Sequence, residues 1–288
     1  MKEYFPKISI ITSTFNSANT LSDTIDSILR QTYQNIEYII IDGSSTDGTL
    51  GIIKSYSDAF EEKNFSFKWK SELDTGIYNA WNKALKMVTG EWIMFLGSDD
   101  YLKNDNIIEE CLPHLEIAIE QNCRFVYGKI EHVDSQKQLI EISGKPWEEQ
   151  KKRFTYTMNI GHSGSFNHKS LFEDYGKFNE SFSIVGDYEF LLREFKNKNK
   201  NAFFLNKTTL VMREGGVSSS LNNRLVVVKE NQKARKLNGI TTFSKELFFW
   251  EIRIRTIMIF SRLFGENFAA KLADLYRNIK GKEKRWSV

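Results

Sequence analysis

Proline is almost absent from this chain of 288 residues: Pro6, Pro113 and Pro146 are its only three. That scarcity excludes a proline-rich linker or a collagen-like repeat. Cysteine is rarer still. Cys111 and Cys123 cannot staple a chain of this length, so the sequence predicts a reducing compartment, and their spacing fits no zinc motif. No run of about 18 uncharged apolar residues occurs, so no membrane-spanning helix is expected. The apolar run in MKEYFPKISIITSTF is too short for a signal peptide and has strand character. Two phosphate cradles are also missing. No Gly-x-Gly-x-x-Gly follows a strand pattern and no Gly-Lys-Ser/Thr loop exists, which argues against a nicotinamide enzyme and a P-loop NTPase.

What is present reads as a soluble globular protein, with one large domain or one domain plus an appendage. The net charge of +3 hides an asymmetry. From Leu225 to Val288 there are 14 Lys/Arg and 6 Asp/Glu, or +8; the other 224 residues hold 26 basic and 31 acidic groups, or −5. A basic tail on an acidic body predicts an anionic partner for the tail, a membrane surface or nucleic acid. Nucleic acid is disfavoured, because the tail's aromatics crowd into one apolar helix instead of alternating with Lys/Arg.

The first hundred residues alternate between the periods of strand and helix. Strands are expected at Lys7–Thr12, Ile36–Ile41, Phe65–Trp69 and Trp92–Leu96. Helices are expected at Leu21–Gln31, capped by Thr20, at Leu50–Tyr56, and at Ile77–Val88, stopped by Thr89-Gly90. This pattern predicts a doubly wound α/β half-domain. Asp99 and Asp100 follow the fourth strand, at the carboxyl edge where open α/β sheets place ligands. Two adjacent carboxylates repel one another and suit a divalent cation held together with phosphates; the bland alternative is an acidic surface turn.

Farther on, Asp105–Gln121 reads as an amphipathic helix, Arg124–Tyr127 as a strand and Gly128–Ile142 as a hairpin. Residues 145–160 show no clear periodicity. Asp187–Phe195 and three tail segments, Asn222–Leu237, Ser244–Phe264 and Asn267–Ile279, read as helices. The expected division is 1–220, with halves 1–101 and 102–220, followed by a basic helical region 221–288. The middle tail helix, LFFWEIRIRTIMIFSRLF, suits an anionic bilayer; packing on the preceding domain or on a second copy in a homodimer remains the alternative.

Five spaced stretches resemble the family 2 glycosyltransferases with the glycosyltransferase A fold, most closely the bacterial branch that builds surface polysaccharides. They are ISIITSTFN, SILRQTYQNIEYIIIDGSSTDGT, SELDTGIYNAWNKAL with GEWIMFLGSDD, HSGSF, and FNESFSIVGDYEF. The resemblance covers roughly Ile8 to Ser218. It implies a Rossmann-like, mostly parallel mixed sheet and an inverting transfer from a nucleotide-sugar, with UDP favoured, to a glycan acceptor on a polyprenyl diphosphate. The enzyme would then work in the cytoplasm, peripheral on the inner face of the membrane. Protein or small-molecule acceptors, or a non-catalytic relative that binds nucleotide or glycan, are the alternatives.

The resemblance also assigns roles. Phe15 would stack on the donor base and Ser13 would contact it. Asp42 would accept from the base's imide N–H, unless it is only an Asx turn. Asp74 and Asn82 would line the nucleotide and sugar side. Gly97-Ser98-Asp99 departs from the family's Asp-x-Asp: the first carboxylate, which contacts the ribose, is lacking, and Ser98 or the Gly97 backbone would take that contact. Asp99 stays as ligand of Mn²⁺ or Mg²⁺, and Asp100 supports the metal or touches the sugar. Asp187 would be the catalytic base, with Gly186 in place of the usual Glu; its alternative is a helix N-cap. His162 would begin an edge strand and touch acceptor or phosphate. Val211–Ser218 would be a loop over the diphosphate, with Arg213 as a phosphate fork.

Overall fold

The computed structural model describes residues 4–215 and 221–265. The chain divides into two compact units, Met1–Glu214 and Gly215–Val288.

The first unit opens with β1 (Ile8–Thr14), α1 (Leu21–Leu29), β2 (Ile36–Asp42), α2 (Thr49–Ser55), α3 (Ser57–Glu62), β3 (Ser66–Ser71), α4 (Ile77–Leu85) and β4 (Trp92–Phe95). It continues with β5 (Tyr101–Leu102), α5 (Ile107–Glu120), β6 (Phe125–Val133), β7 (Leu139–Ser143), α6 (Trp147–Phe154), β8 (Phe166–His168), α7 (Ser170–Tyr175), α8 (Gly186–Phe195) and β9 (Phe203–Arg213). Among the described residues the strands form one sheet in the order β3-β2-β1-β4-β8-β6-β9-β5, with β7 against β6. The four strands β3, β2, β1 and β4 pair in parallel. β8 runs against both β4 and β6, and β9 is parallel to β6, so β6 and β9 share the direction of the first four. The sheet is thus mixed and mostly parallel, as expected.

β2 and β4 are buried at every position, which explains the unbroken apolar run of β4 and the mostly apolar one of β2, interrupted by buried Glu37. Trp92, Tyr38, Phe95 and Phe60 are among the largest side chains they and their neighbours enclose. Burying each contributes about 1.5–3 kcal/mol.

Four expectations need correction. α4 stops at Leu85 and does not run on to Val88, because buried Glu37 captures Thr89 N at 2.8 Å and Lys68 Nζ takes the Met87 carbonyl at 2.9 Å. Thr20 caps nothing; its hydroxyl donates to the Ser98 carbonyl at 2.9 Å. The strand after His162 is no edge, since β8 lies between β4 and β6. Val211–Arg213 belong to β9 and not to a loop, while Gly216–Ser218 lie outside the described residues.

The second unit contains α9 (Leu221–Leu237) and α10 (Lys245–Phe264). Ser244 caps α10, its hydroxyl accepting from Leu247 N at 3.2 Å. The expected helix at 267–279 lies outside the described residues. No helix among those described is long and apolar enough to cross a membrane.

Candidate active site

The register of the parallel half brings the predicted residues to one edge. Thr14 pairs with Asp42, Asp42 with Ser71, and Ile11 with Phe95, so the chain leaves β1, β2, β3 and β4 on the same side. Ser13 is half-buried in β1, while Phe15 just beyond it is 64% exposed. An aromatic ring left bare at a strand end is a ready stacking surface.

Asp42 closes β2 and is fully covered. Its Oδ1 accepts from Ser45 Oγ at 2.5 Å, and its Oδ2 accepts from Ser45 N at 3.1 Å and Ser71 Oγ at 2.6 Å. Asp74 holds its own loop by accepting from Gly76 N at 3.0 Å. A Cβ on Gly43 would meet the Asp74 carboxylate at 2.7 Å and the Phe15 ring at 3.4 Å. Phe15, Gly43 and Asp74 therefore converge, and only glycine leaves them room.

The turn after β4 is built around another such glycine. A Cβ on Gly97 would sit 2.8 Å from Asp100 Oδ2 and 2.9 Å from Asp99 Oδ1, so both carboxylates fold over the same backbone atom. Three hydroxyls from the β1–α1 segment fix this turn. Ser17 Oγ meets Ser98 Oγ at 2.9 Å, Thr20 binds the Ser98 carbonyl, and Thr24 Oγ1 donates to the Asp100 carbonyl at 2.6 Å. Asp100 itself is buried and accepts from Ser163 Oγ at 2.7 Å. Burial, then the neighbouring Asp99 charge, push its carboxyl up to about 7. Among the described residues no cluster of three His, Cys, Asp or Glu side chains could hold a metal alone. The pair at Gly97 still fits one, because a cation taken up with a diphosphate needs only one or two protein carboxylates and relieves their repulsion.

Arg213, the last residue of β9, arrives beside this turn through the β5–β9 pairing. Its Nη1 donates to the Asp99 carbonyl at 2.9 Å, its Nη2 pairs with Asp23, and its guanidinium lies 5.4 Å from the Tyr101 ring centre. The guanidinium straps β9 to the Asp99 turn.

Asp187 stands in the first turn of α8, where the helix dipole favours its charged form. Its Oδ1 accepts from Tyr188 N at 2.8 Å and from Tyr78 Oη at 3.3 Å. One turn along α4, Trp81 packs on Phe95 with ring centres 4.5 Å apart, so the same helix touches Asp187 and the end of β4.

Two predicted residues serve elsewhere. Asn82 is buried in α4; its Nδ2 donates to the Phe178 carbonyl at 3.0 Å and to Glu180 at 2.7 Å, and its Oδ1 accepts from Phe178 N at 2.9 Å. Those bonds clamp the segment before α8. His162 lies inside a cage of aromatics, 5.2 Å from Phe95 and 5.3 Å from Trp81 between ring centres. With 6% exposure it presents no face to a phosphate, so the expected contact is corrected to a packing role. Tyr78, Ser163, Ser71 and Ser45 were not singled out from the sequence. Ser45 lies three residues from its partner Asp42, whereas Ser163, in the HSGSF stretch, meets Asp100 from 63 positions away.

The comparisons with known proteins agree with this architecture. Residues 9–176 match the family model Glycosyl transferase family 2. A PGL/p-HBAD biosynthesis glycosyltransferase of Mycobacterium bovis is 29% identical over 67% of this chain and 71% of its own. The putative teichuronic acid biosynthesis glycosyltransferase TuaG of Bacillus subtilis is 34% identical over 44% of this chain and 48% of its own. Among solved structures, S. aureus TarS 1-349 in complex with UDP-GlcNAc aligns at a TM-score of 0.59 and 17% identity, covering 94% of this chain and 73% of that one. The mannosyltransferase PcManGT from Pyrobaculum calidifontis, in complex with GDP-Man and Mn2+, gives 0.62 at 14% identity over 96% and 81%. These likenesses establish the glycosyltransferase A fold, and with a family model matching more than half its length, this chain belongs to glycosyl transferase family 2.

Proposed function

We propose that this protein transfers a sugar, with inversion, from a nucleotide-sugar to a hydroxyl of a glycan acceptor. The favoured donor is a UDP-sugar, and the acceptor is a polyprenyl-diphosphate-linked glycan in surface polysaccharide synthesis, at the cytoplasmic face of the membrane. One observation carries the reading: two carboxylates turned together over Gly97 at the carboxyl end of β4, with Asp187 tied to the helix that packs there. The relative named for teichuronic acid biosynthesis supports the surface-polysaccharide setting, and the UDP-GlcNAc complex of TarS supports the donor class.

Phe15 stacks on the base and Ser13 contacts its edge, with covered Asp42 behind them holding Ser45 and Ser71, and Asp74 and Ser98 line the ribose and sugar side. Asp99 would hold Mn²⁺ or Mg²⁺, with Asp100 behind it; bound there, the cation neutralises charge on the departing diphosphate. Arg213 keeps the Asp99 turn in place. Asp187 takes the proton from the attacking hydroxyl as general base.

The test is thermal shift with UDP-, dTDP-, GDP- and ADP-sugars, with and without Mn²⁺, on the native chain and on Asp99→Ala. Metal-dependent stabilisation by a UDP-sugar, lost in the variant, is the expected result. A response to no nucleotide would sink the donor reading. Asp187→Asn is expected to retain that stabilisation and lose transfer by at least about a hundredfold; near-normal transfer would remove Asp187 from the role.

A further inference from the structure

We propose that Tyr78 is a positioning residue for Asp187: its phenol holds the carboxylate in the orientation that receives the acceptor's proton, and Gly186 is the gap its ring requires. The inference rests on the reading of Asp187 as the base.

Three observations converge on it. The Tyr78 hydroxyl donates to Asp187 Oδ1 at 3.3 Å, beside the Tyr188 N–H on the same oxygen. That distance is long for an O–H···O bond, as such contacts often are before substrate binds. Next, a Cβ on Gly186 would meet ring atoms Cε2, Cδ2 and Cζ of Tyr78 at 2.7–2.8 Å. Gly186 is helical and has no positive φ to demand glycine, so the close approach of the ring is the reason for its bareness. Finally, the ring cannot turn away. It is 3% exposed, edge-on to Trp81 at 5.3 Å and tilted against Phe178 at 5.8 Å.

The helix that carries Tyr78 is itself anchored to the segment before Asp187. Asn79 Nδ2 donates to Glu180 at 2.8 Å, and Asn82 binds both Glu180 and the Phe178 backbone. Burial, and then the Asp187 charge, push the Tyr78 phenol well above its usual range, so it stays protonated and remains the donor wherever Asp187 is ionised. A tyrosine doing this is not consumed. It fixes a lone-pair direction and stabilises the carboxylate, and the transferred proton goes to Asp187.

Tyr78→Phe tests the idea, since it keeps the ring and its packing. With UDP-GlcNAc and Mn²⁺ as the probe and water as the acceptor, the rate of UDP release is expected to fall about 10- to 100-fold at unchanged donor KM. A carboxyl NMR titration, which needs no substrate, is expected to show the Asp187 pKa rising by about half a unit or more once the donor is lost. Gly186→Ala, whose methyl must displace the ring, is expected to move both readings the same way. If the Asp187 titration is unmoved in Tyr78→Phe, positioning is refuted. A raised donor KM with unchanged turnover also refutes it, assigning Tyr78 to donor binding. Asp187→Asn separates the two claims. Lost turnover there, with a silent Tyr78→Phe, leaves the base and removes Tyr78; normal turnover there removes the base itself.

Discussion

At the scale of single residues, His162 has the clearest consequence. Burial among Phe95, Trp81, Phe125 and Phe178 lowers its ring pKa from 6.5 to about 3, and neither ring nitrogen has a hydrogen-bond partner among the described residues. The unfolded chain therefore takes up a proton near pH 6.5, while the native chain does so only near pH 3. Between those values the unfolded state binds more protons, so stability falls as the pH drops through that window. His162→Phe removes this proton uptake and leaves the cage packed. Its unfolding free energy is expected to fall less steeply from pH 6.5 to pH 4, by up to about 1.4 kcal/mol per pH unit. A slope equal to the native chain's would mean that the imidazole is not kept neutral. Donor-induced thermal shift is expected to be unchanged in the variant; a lost shift would restore His162 to the site. The sequence could show a histidine in a HSGSF stretch but not the four rings around it, which come from β4, β6, α4 and the segment before α8.

Among the elements, α4 binds the site together. Its first turn carries Tyr78, its second Trp81 and Asn82, and the loop before it carries Asp74. The helical period made this element legible, and the motifs made legible that Asp187 stands at a helix start and Asp99-Asp100 after a buried strand. The job of Asn82 was not, because its partners lie 96 to 98 positions away. Asn82→Ala strips hydrogen bonds from the buried N–H and carbonyl of Phe178. The expected loss is about 2–4 kcal/mol of stability, measured by urea unfolding. Turnover should fall while donor affinity changes less than about threefold, as follows when a clamp on the base segment is lost but not a donor contact. A selective loss of donor affinity at unchanged stability would return Asn82 to the nucleotide pocket. Sparse signals explain the elements that the sequence did not reveal. In α6, WEEQKKRF, only Trp147 and Phe154 are buried, seven residues apart, too few to mark a period. α3 buries Phe60 alone.

For the whole molecule, the charge division is the remaining lever, and it was legible from counting alone: −5 on the first 224 residues and +8 from Leu225 onward. α10 shows how that charge meets apolar surface. Leu247 and Ile254 are buried, whereas Phe248, Phe249, Ile252, Ile259 and Leu263 are exposed on a helix that also carries Arg253, Arg255 and Arg262. At 100° per residue, Phe248, Ile252, Ile259 and Leu263 fall within one narrow sector, flanked by Arg255 and Arg262 on one side and Phe249 and Arg253 on the other. Glu251 pairs with Arg255 at 2.6 Å, so part of the basic charge is already offset. Such a helix suits the plane of an anionic bilayer, where each basic residue adds about 1 kcal/mol near the surface and salt screens it within about 10 Å. The full chain is therefore expected to sediment with phosphatidylglycerol vesicles, to release progressively as salt is raised, and to ignore phosphatidylcholine vesicles. Ile252→Glu with Ile259→Glu, on the exposed face, should abolish sedimentation without changing the donor-induced thermal shift. Equal binding to both lipids would leave the charge asymmetry with no part in docking. Absence of binding to either, with a concentration-dependent dimer that the double variant breaks, would transfer this face to a second copy of the chain.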